Sequence, residues 1–212
     1  MDGNLLRFNP NKTFVLIDCE TENLCLNRKH NLPWQVAMIK VQNGKRVEHK
    51  DYIVKWEREL EVSKEAARIT RFCPIDYRKE ALPFEEVFPT IDAWLNDCDY
   101  IMGHNVLGFD IYLIKGMYSF MGKPYKHLVK KVIDTYCLAK GIKLGIFYKP
   151  EDNLLEYQYK ILDTKKKGIK TSLTALGKEF EIPHNYENLH DAICDLELNL
   201  KVWDKLKFHV EI

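Results

Sequence analysis

The sequence predicts a mixed α/β fold in which three antiparallel strands are followed by parallel strands, with helices flanking the sheet. Near the N-terminus, extended apolar segments follow one another and two of them are joined by a tight turn. Further along, short apolar segments alternate with helical ones, which is typical of parallel strands joined by crossovers. With 212 residues and 46% hydrophobic content, the chain suits one domain with a full core.

The antiparallel part is predicted from three segments near the N-terminus. These strands are expected over 13–18, 33–41 and 46–55. The first strand loses its apolar character at Asp18, and a polar loop over 22–32 follows it. Residues 43–45, Asn-Gly-Lys, are typical of a two-residue hairpin turn between the second and third strands. The three strands should therefore form a meander.

The remaining chain alternates helices with short strands. Apolar residues at helical spacing predict helices over 84–97, 107–122, 134–140, 172–180 and 191–208, and a short helix that begins at Ser63. Short apolar strands are predicted over 99–103 and 131–133. Residues 142–170 fit this scheme least well. Because apolar residues alternate over 154–162, we expect a strand there, within a hairpin or irregular insertion that has a lysine-rich tip.

Composition and charge limit the classes of function. The net charge of +1 does not indicate a polyanion partner, but 123–131 and 160–170 are locally basic. Either phosphate contacts or a solvated face would explain these segments. No apolar stretch reaches the length of a membrane span, and no signal peptide is visible. The six cysteines form no Cys-x-x-Cys pair, which favours a reduced, intracellular protein over a zinc site.

Two acids lie where the first strand becomes polar. Asp18 and Glu20 are separated by Cys19, so the two carboxylates share one face and the thiol points to the opposite, packed side. An Asp-x-Glu triplet occurs about once by chance in a chain of this size. A solvated strand end is therefore the alternative to a functional pair.

Two further acids are predicted near packed helix faces. Asp110 opens the apolar stripe of its helix and should face inward, where an unpaired carboxylate is costly. The alternative is an acid favoured by the helix dipole. Asp195 lies beside the packed face of the last helix. His190 precedes it by five residues and is expected on the loop before that helix, with Asp191 as the N-cap.

Four carboxylates that converge on one point would repel one another unless divalent cations were bound there. Oxygen ligands favour hard ions such as Mg²⁺ or Mn²⁺. Two such ions about 3.5–4 Å apart are a known arrangement for phosphodiester cleavage. A histidine beside them is suited to removing the proton of the attacking water.

These residues, in this order, resemble the DnaQ-like 3′–5′ exonucleases of the DEDDh type, within the ribonuclease H-like superfamily. The first motif, "IDCETENL", contains Asp18 and Glu20, the second, "GHNVLGFD", contains Asp110, and the third, "HDAICD", contains His190 and Asp195. "VIDTYCLAK" and "SLTALGKEFEI" are also similar to family segments, so the likeness spans about 13–206. The histidine type follows because Asp191, not tyrosine, stands four residues before Asp195.

The resemblance implies a ribonuclease H-like sheet in a single exonuclease domain over 1–212, with a basic insertion at about 142–170. It implies hydrolysis of DNA or RNA from a free, single-stranded 3′ end, with release of nucleoside 5′-monophosphates. Two Mg²⁺ or Mn²⁺ ions would be held by the four acids Asp18, Glu20, Asp110 and Asp195, and His190 would be the general base. The substrate contacts implied are Thr21, Leu24, His104, Asn105 and Phe109.

The resemblance leaves several alternatives open. Proofreading with a polymerase or replication partner and stand-alone trimming both fit, and no membrane is expected. Cys19 and Glu22–Asn23 depart from the usual family residues and indicate a different loop at the 3′ end. Lys165, Lys166 and Lys167 are hypothesised to bind the substrate backbone. The alternative from another class is a catalytically inactive nucleic-acid-binding or scaffold protein, against which the intact set of five core residues argues.

Overall fold

A mixed sheet forms the centre of the computed structural model, which describes residues 5–24, 26 and 31–212. Its strands are β1 (Phe14–Thr21), β2 (Pro33–Gln42), β3 (Lys45–Lys55), β4 (Leu82–Pro83), β5 (Tyr100–Gly103) and β6 (Val132–Asp134). They lie in the order β4-β3-β2-β1-β5-β6. β1, β2 and β3 pair antiparallel, whereas β5 and β6 continue the sheet parallel to β1. The predicted mixed sheet is confirmed, with the added strand β4 parallel to β3.

Helices cover both faces of this sheet. They are α1 (Lys64–Thr70), α2 (Pro74–Glu80), α3 (Phe84–Asp97), α4 (Asp110–Phe120), α5 (Lys126–Val129), α6 (Thr135–Leu144), α7 (Leu154–Asp163), α8 (Leu173–Glu179) and α9 (Ala192–Leu206). In the described ranges, none of the helices has the length and apolar character needed to cross a membrane. The predicted loop over 22–32 is described only in part, because residues 25 and 27–30 lie outside the described residues.

Local sequence signals set several element boundaries. Asn43 and Gly44 both have positive φ, 51° and 69°, which is the backbone conformation of the predicted two-residue hairpin turn. The Ser63 side chain accepts the backbone N–H of Ala66, which confirms the predicted start of α1. β1 continues to Thr21, so Glu20, which lies beyond the predicted end at residue 18, is inside the strand together with Asp18.

The alternation of β1 assigns its side chains to two cores. Val15, Ile17 and Cys19 pack on one face with α3 and α4, which confirms the buried side predicted for the thiol. Phe14 and Leu16 pack on the other face with α6, α8 and α9. Asp18 and Glu20 continue the second face, because side chains two residues apart point the same way. α4 and α9 therefore approach the C-terminal end of β1 from opposite faces of the sheet.

The strand predicted over 154–162 is wrong, because this segment forms the helix α7. The Asn153 side chain caps it by accepting the backbone N–H groups of Leu155 and Glu156 at 3.0 and 3.2 Å. Tyr157, Gln158 and Ile161 are buried, at helical spacing. The alternation misled the prediction because the half-buried Leu155 and Tyr159 happen to alternate with the buried Tyr157 and Ile161. The helix predicted over 107–122 also begins later, at Asp110, after a tight turn.

The insertion covers the open edge of the sheet through one buried side chain. Gln158 is fully buried, and its Oε1 accepts the backbone N–H of Asp134 at 2.6 Å. Its Nε2 donates to the carbonyl of Val132 at 2.9 Å. An edge strand exposes unpaired backbone groups that invite association with other chains. The side-chain amide of Gln158 therefore provides hydrogen-bond partners to the backbone of β6, as a further strand would.

Replacing Gln158 with leucine should lower the free energy of unfolding by about 2–4 kcal/mol, because two buried backbone groups lose their partners while the volume is retained. Urea denaturation monitored by circular dichroism measures this loss. Glu156→Leu, on the exposed side of α7, is the matched control and should change stability by less than about 0.5 kcal/mol. Equal midpoints for the two variants would show that this amide does not support the edge of the sheet.

Candidate active site

Three carboxylates from two elements converge at the C-terminal end of β1. One ligand oxygen each from Asp18, Glu20 and Asp195 lies within 4.8 Å of the others. Asp18 lies opposite Ala37 of β2 and Glu20 opposite Gln35, so the two acids share one face of the strand. Asp195 is in the first turn of α9. The structure thus brings together three of the four predicted acidic ligands.

Asp110 reaches the same end of the sheet from the other face. It is only 4% exposed, which confirms the inward orientation predicted for it. Its Oδ1 accepts the backbone N–H of Cys19 at 3.1 Å. Since Cys19 lies between Asp18 and Glu20, this hydrogen bond places the fourth carboxyl group beside the other acids.

Burial and mutual repulsion make this cluster unfavourable in its fully charged form. Burial, followed by the charges of nearby acids, raises the pKa of Glu20 to about 8. Burial also raises the pKa of Asp110 to about 7, with the charge of Asp134 adding to the effect, and that of Asp195 to about 6. For Asp18, burial and the surrounding carboxylates raise the pKa well above its ordinary value. A site that retains protons in this way has a strong electrostatic preference for a cation.

The turn that aims Asp110 is held by another acid, Asp134. Asn105 has a positive φ of 68°, and the side-chain oxygen of Asn105 lies so close to Gly108 that a Cβ there would be 2.3 Å from it. Asp134 accepts the backbone N–H groups of Asn105 and Leu107, each at 2.9 Å. It also caps α6 through the N–H of Tyr136 at 3.0 Å. One buried carboxylate therefore joins β6 to the turn that precedes α4.

Asp134 was not among the predicted site residues, although its segment was. "VIDTYCLAK" carries the signal of an acid placed between a short strand and a helix, which is also the pattern of an ordinary N-cap. The contact with the turn at 105–107 joins residues that are far apart in sequence. The cap could be predicted locally, whereas the anchoring of the turn could not.

His104, a predicted substrate contact, connects three parts of the protein. Its Nδ1 lies 3.0 Å from the hydroxyl of Thr135, and its Nε2 lies 2.9 Å from the carbonyl of Thr171. Burial lowers the pKa of His104 to about 4, so the ring is neutral near pH 7. The carbonyl requires a proton on Nε2, which leaves Nδ1 as the acceptor. Both ring nitrogens are thus engaged within the protein, and a substrate contact by this residue stays a prediction.

The loop after β1 is fixed by Glu22, one of the residues that depart from the family pattern. Its buried carboxylate accepts the backbone N–H groups of Leu32 at 3.1 Å and Glu61 at 2.9 Å. It also pairs with the Arg58 guanidinium. The backbone carbonyl of Glu22 accepts the N–H of Ser63 at 2.9 Å. The loop beside the acids is therefore anchored to the segment that leads into α1.

The other predicted substrate contacts lie on the segments next to the acids in sequence, after β1 and before α4. Thr21 is buried, and its hydroxyl donates to the carbonyl of Asn23 at 2.6 Å. Leu24 is 44% exposed, as an apolar side chain available to a ligand would be. Phe109 is half-buried against the core cluster under α4, and Asn105 lies in the turn before that helix. Direct contact with a nucleotide stays a prediction for each of them.

His190 lies in the turn before α9, as predicted. It has a positive φ of 72°, and its backbone N–H points at Oδ1 of Asp195 over 3.4 Å. Asp191 caps the helix by accepting the N–H of Cys194 at 3.0 Å, which confirms its predicted role. Within the described chain, the imidazole of His190 makes no hydrogen bond and is exposed to solvent. The ring is therefore accessible, and its role as the general base stays a prediction.

Solved structures with the same fold include several of E. coli Exonuclease I. Its complex with a dT13 oligonucleotide is 18% identical over 92% of this chain and 41% of that chain, with a TM-score of 0.69. The zinc-bound form of its complex with single-stranded DNA has a TM-score of 0.73 at 18% identity, over 94% of this chain and 41% of that chain. The dA16 complex has a TM-score of 0.70 at 17% identity, over 93% and 42% of the two chains. This chain thus spans about two-fifths of the length of the E. coli enzyme.

Sequence comparison assigns the family. None of the curated proteins matches the chain significantly. The RNase_T exonuclease family model matches residues 15–203, which includes all the acids of the cluster. The residues, their convergence and this match agree, and the chain belongs to the RNase_T exonuclease family.

Proposed function

We propose that this protein is a metal-dependent 3′–5′ exonuclease that hydrolyses single-stranded nucleic acid and releases nucleoside 5′-monophosphates. The convergence of Asp18, Glu20 and Asp195 within 4.8 Å is the observation that carries the proposal. The solved relatives in complex with dT13 and dA16 oligonucleotides support a single-stranded substrate. The proposal concerns this chain alone, since it matches less than half of the E. coli enzyme.

The donor set fits Mg²⁺ or Mn²⁺. It consists of carboxylate oxygens, the ligands that hard divalent ions prefer. Asp18, Glu20 and Asp195 would hold one ion, and Asp18 with Asp110 would hold a second. When bound, the two ions would activate the attacking water and stabilise the leaving 3′ oxygen. The raised pKa values of the acids support this assignment, because bound cations would compensate the burial and the mutual repulsion that raise them.

Residues of the chain itself would carry out proton transfer and bind the terminal nucleotide. A ring nitrogen of His190 would accept the proton of the attacking water, as the exposed position of the ring permits. The oxygen of the water would bond to phosphorus as the P–O3′ bond breaks, and the leaving 3′ oxygen would take up a proton from solvent. The products would be a new 3′ hydroxyl on the shortened strand and a released nucleoside 5′-monophosphate. Thr21 and Leu24 would contact the terminal nucleotide beside the loop that Glu22 anchors.

Degradation of end-labelled strands tests the proposal. DNA and RNA oligonucleotides with either a 5′ fluorophore or an isotopic label in the 3′-terminal phosphodiester are incubated with Mg²⁺ or Mn²⁺. The expected result is a ladder from the 5′ label and immediate release of labelled mononucleotide from the 3′ label. Release of the 5′ label first would show the opposite, 5′–3′ polarity. Binding without hydrolysis of any strand would favour the inactive nucleic-acid-binding alternative.

A further inference from the structure

A groove outside the acidic cluster combines positive charge with aromatic rings. It has a volume of about 310 Å³ and lies between α4, the segment that contains α5, and α7. Its polar lining consists of Tyr112, Tyr125, Tyr159, Lys115, Lys126 and Lys130. Among the described residues, no carboxylate lines this groove. We call it the tyrosine–lysine groove.

The lysines of the groove are available to a ligand. Lys115, Lys126 and Lys130 are exposed, and none of them takes part in an ion pair of the described chain. Other lysines of the same basic segment are used within the protein. Lys123 pairs with Asp92, and Lys131 donates to the carbonyls of Asn96 and Cys98 at 2.6 and 2.8 Å. The segment thus contains two kinds of lysine: those that bind other parts of the protein, and those that line the groove.

The tyrosines supply ring surfaces on a fixed base. Tyr125 and Tyr159 pack partly against the buried core cluster, so the protein holds their positions. Tyr112 is 50% exposed on the outer side of α4. A positively charged groove with aromatic rings is the combination by which proteins hold a single strand, because bases stack on the rings while the cations neutralise phosphates. A paired duplex keeps its bases stacked on one another and offers the rings no free base.

The groove and the acidic cluster share the helix α4. Asp110 is the first residue of α4, and its neighbour Ile111 lines the groove. Tyr112 and Lys115 follow on the same helix. With a rise of about 1.5 Å per residue, Lys115 lies about 7.5 Å along the axis from Asp110. The lining of the groove and Asp110 therefore both belong to the N-terminal half of α4, close enough along the helix axis for one strand to reach both.

We infer that the tyrosine–lysine groove binds nucleotides of a single-stranded substrate that lie 5′ to the cleaved bond, beyond the one that adjoins this bond. The inference rests on the proposed function, and it identifies the surface along which the substrate strand runs away from the acids. Bases stack on Tyr112 and its neighbouring rings, and Lys126 and Lys130 contact phosphates. Affinity should then depend on strand length and on salt.

Binding and cleavage of oligothymidylates of increasing length test the inference. The variants are Tyr112→Ala and the double variant Lys126→Ala/Lys130→Ala. Lys45→Ala/Lys205→Ala removes the same charge from exposed positions elsewhere and is the matched control. Fluorescence anisotropy of fluorescein-labelled dT12 without divalent metal gives Kd independently of hydrolysis. Thermal melting confirms that the variants retain the fold.

Both groove variants should weaken dT12 binding about tenfold and raise KM for long strands to a similar extent. KM for the dinucleotide should stay at the wild-type value, since it does not reach the groove. Loss of two phosphate contacts should reduce the slope of log Kd against log salt by about 1.4, at about 0.7 per contact for a single strand. The control variant should match the wild type in every measurement.

The inference is overturned if the groove variants bind dT12 as tightly as the control does. It is also overturned if KM rises equally for the dinucleotide, because the variants would then damage the active site. A third outcome concerns the insertion. If joint replacement of Lys165, Lys166 and Lys167 by alanine raises KM for long strands only, and the groove variants do not, the strand runs along the insertion instead. The proposed function fails separately, when the wild type hydrolyses no strand while dT12 binding still depends on the groove.

Discussion

Replacing Asp18 with asparagine should lower kcat on strands with a free 3′ end by a factor on the order of 10³ or more. Asp18 is the acid that the proposal assigns to both metal ions, and its ligand oxygen lies within 4.8 Å of those of Glu20 and Asp195. Asparagine keeps the shape of the side chain while it removes the charge. Initial rates in saturating Mn²⁺ and calorimetric Mn²⁺ titration measure the change. Activity within tenfold of the wild type would contradict the proposed site.

The same substitution should stabilise the metal-free protein. Burial and the surrounding carboxylates oppose the ionisation of Asp18 in the folded state but not in the unfolded chain, and asparagine removes this cost of folding. Loss of activity together with a gain in stability would identify a functional cluster that the fold does not need. Asp163→Asn, an exposed acid of α7, is a suitable control and should change neither property.

The stability of the metal-free wild type should fall as pH rises. The folded pKa values of Glu20 and Asp110, about 8 and about 7, lie above the ordinary values of 4.5 and 3.8 for the unfolded chain. Between roughly pH 4 and pH 8 the folded state therefore binds more protons than the unfolded state, and raising the pH favours unfolding. Thermal midpoints should drop over this window, less steeply for Asp18→Asn, and saturating Mn²⁺ should restore them. A wild-type midpoint that rises from pH 5 to pH 8 would contradict this account.

A histidine variant separates proton transfer from metal binding. His190→Ala should lose activity while the Mn²⁺ affinity stays close to that of the wild type, because the exposed ring makes no hydrogen bond or ion pair with the acids in the described structure. Asp18→Asn should lose both properties. Equal Mn²⁺ losses in the two variants would assign His190 to the metal site instead.

The acids of the site could be predicted from sequence because each lies at a simple local pattern. Asp18 and Glu20 follow from strand alternation, and Asp110 from its place at the start of an apolar helical stripe. The meeting of these elements at one end of the sheet follows from β1 lying between antiparallel and parallel neighbours. The prediction that these acids form one site came from the family resemblance, because periodicity alone does not show which elements meet.

The insertion could not be predicted in the same way. Alternation over 154–162 is compatible with a strand, and the side chain that decides the matter is Gln158. Its burial depends on unpaired backbone groups of Val132 and Asp134, far away in sequence. A polar residue on the buried side of α7 looks unfavourable until the edge of β6 is in place. The deciding interaction is therefore tertiary and leaves no periodic signal.

The largest loss of stability is expected for Asp134→Ala, at about 3–5 kcal/mol, because several buried or partly buried backbone N–H groups lose their only acceptor in the described structure. These groups belong to Asn105, Leu107 and Tyr136, at 2.9, 2.9 and 3.0 Å from the carboxylate. Asparagine should not rescue the fold, since its amide places a donor against one of the donors of the turn. Urea denaturation measures both variants, with Asp163→Ala as the exposed control.

Asp134→Ala should also weaken catalysis without touching the substrate. The freed turn would let Asp110 move away from the N–H of Cys19, to which it is now bonded at 3.1 Å. Residues that orient metal ligands typically change metal affinity or activity about 10–100-fold when they are replaced. We therefore expect a lower kcat and weaker Mn²⁺ binding at a temperature where the variant is fully folded, with KM nearly unchanged. A folded variant with wild-type kcat and Mn²⁺ affinity would show that α4 places Asp110 without help from Asp134.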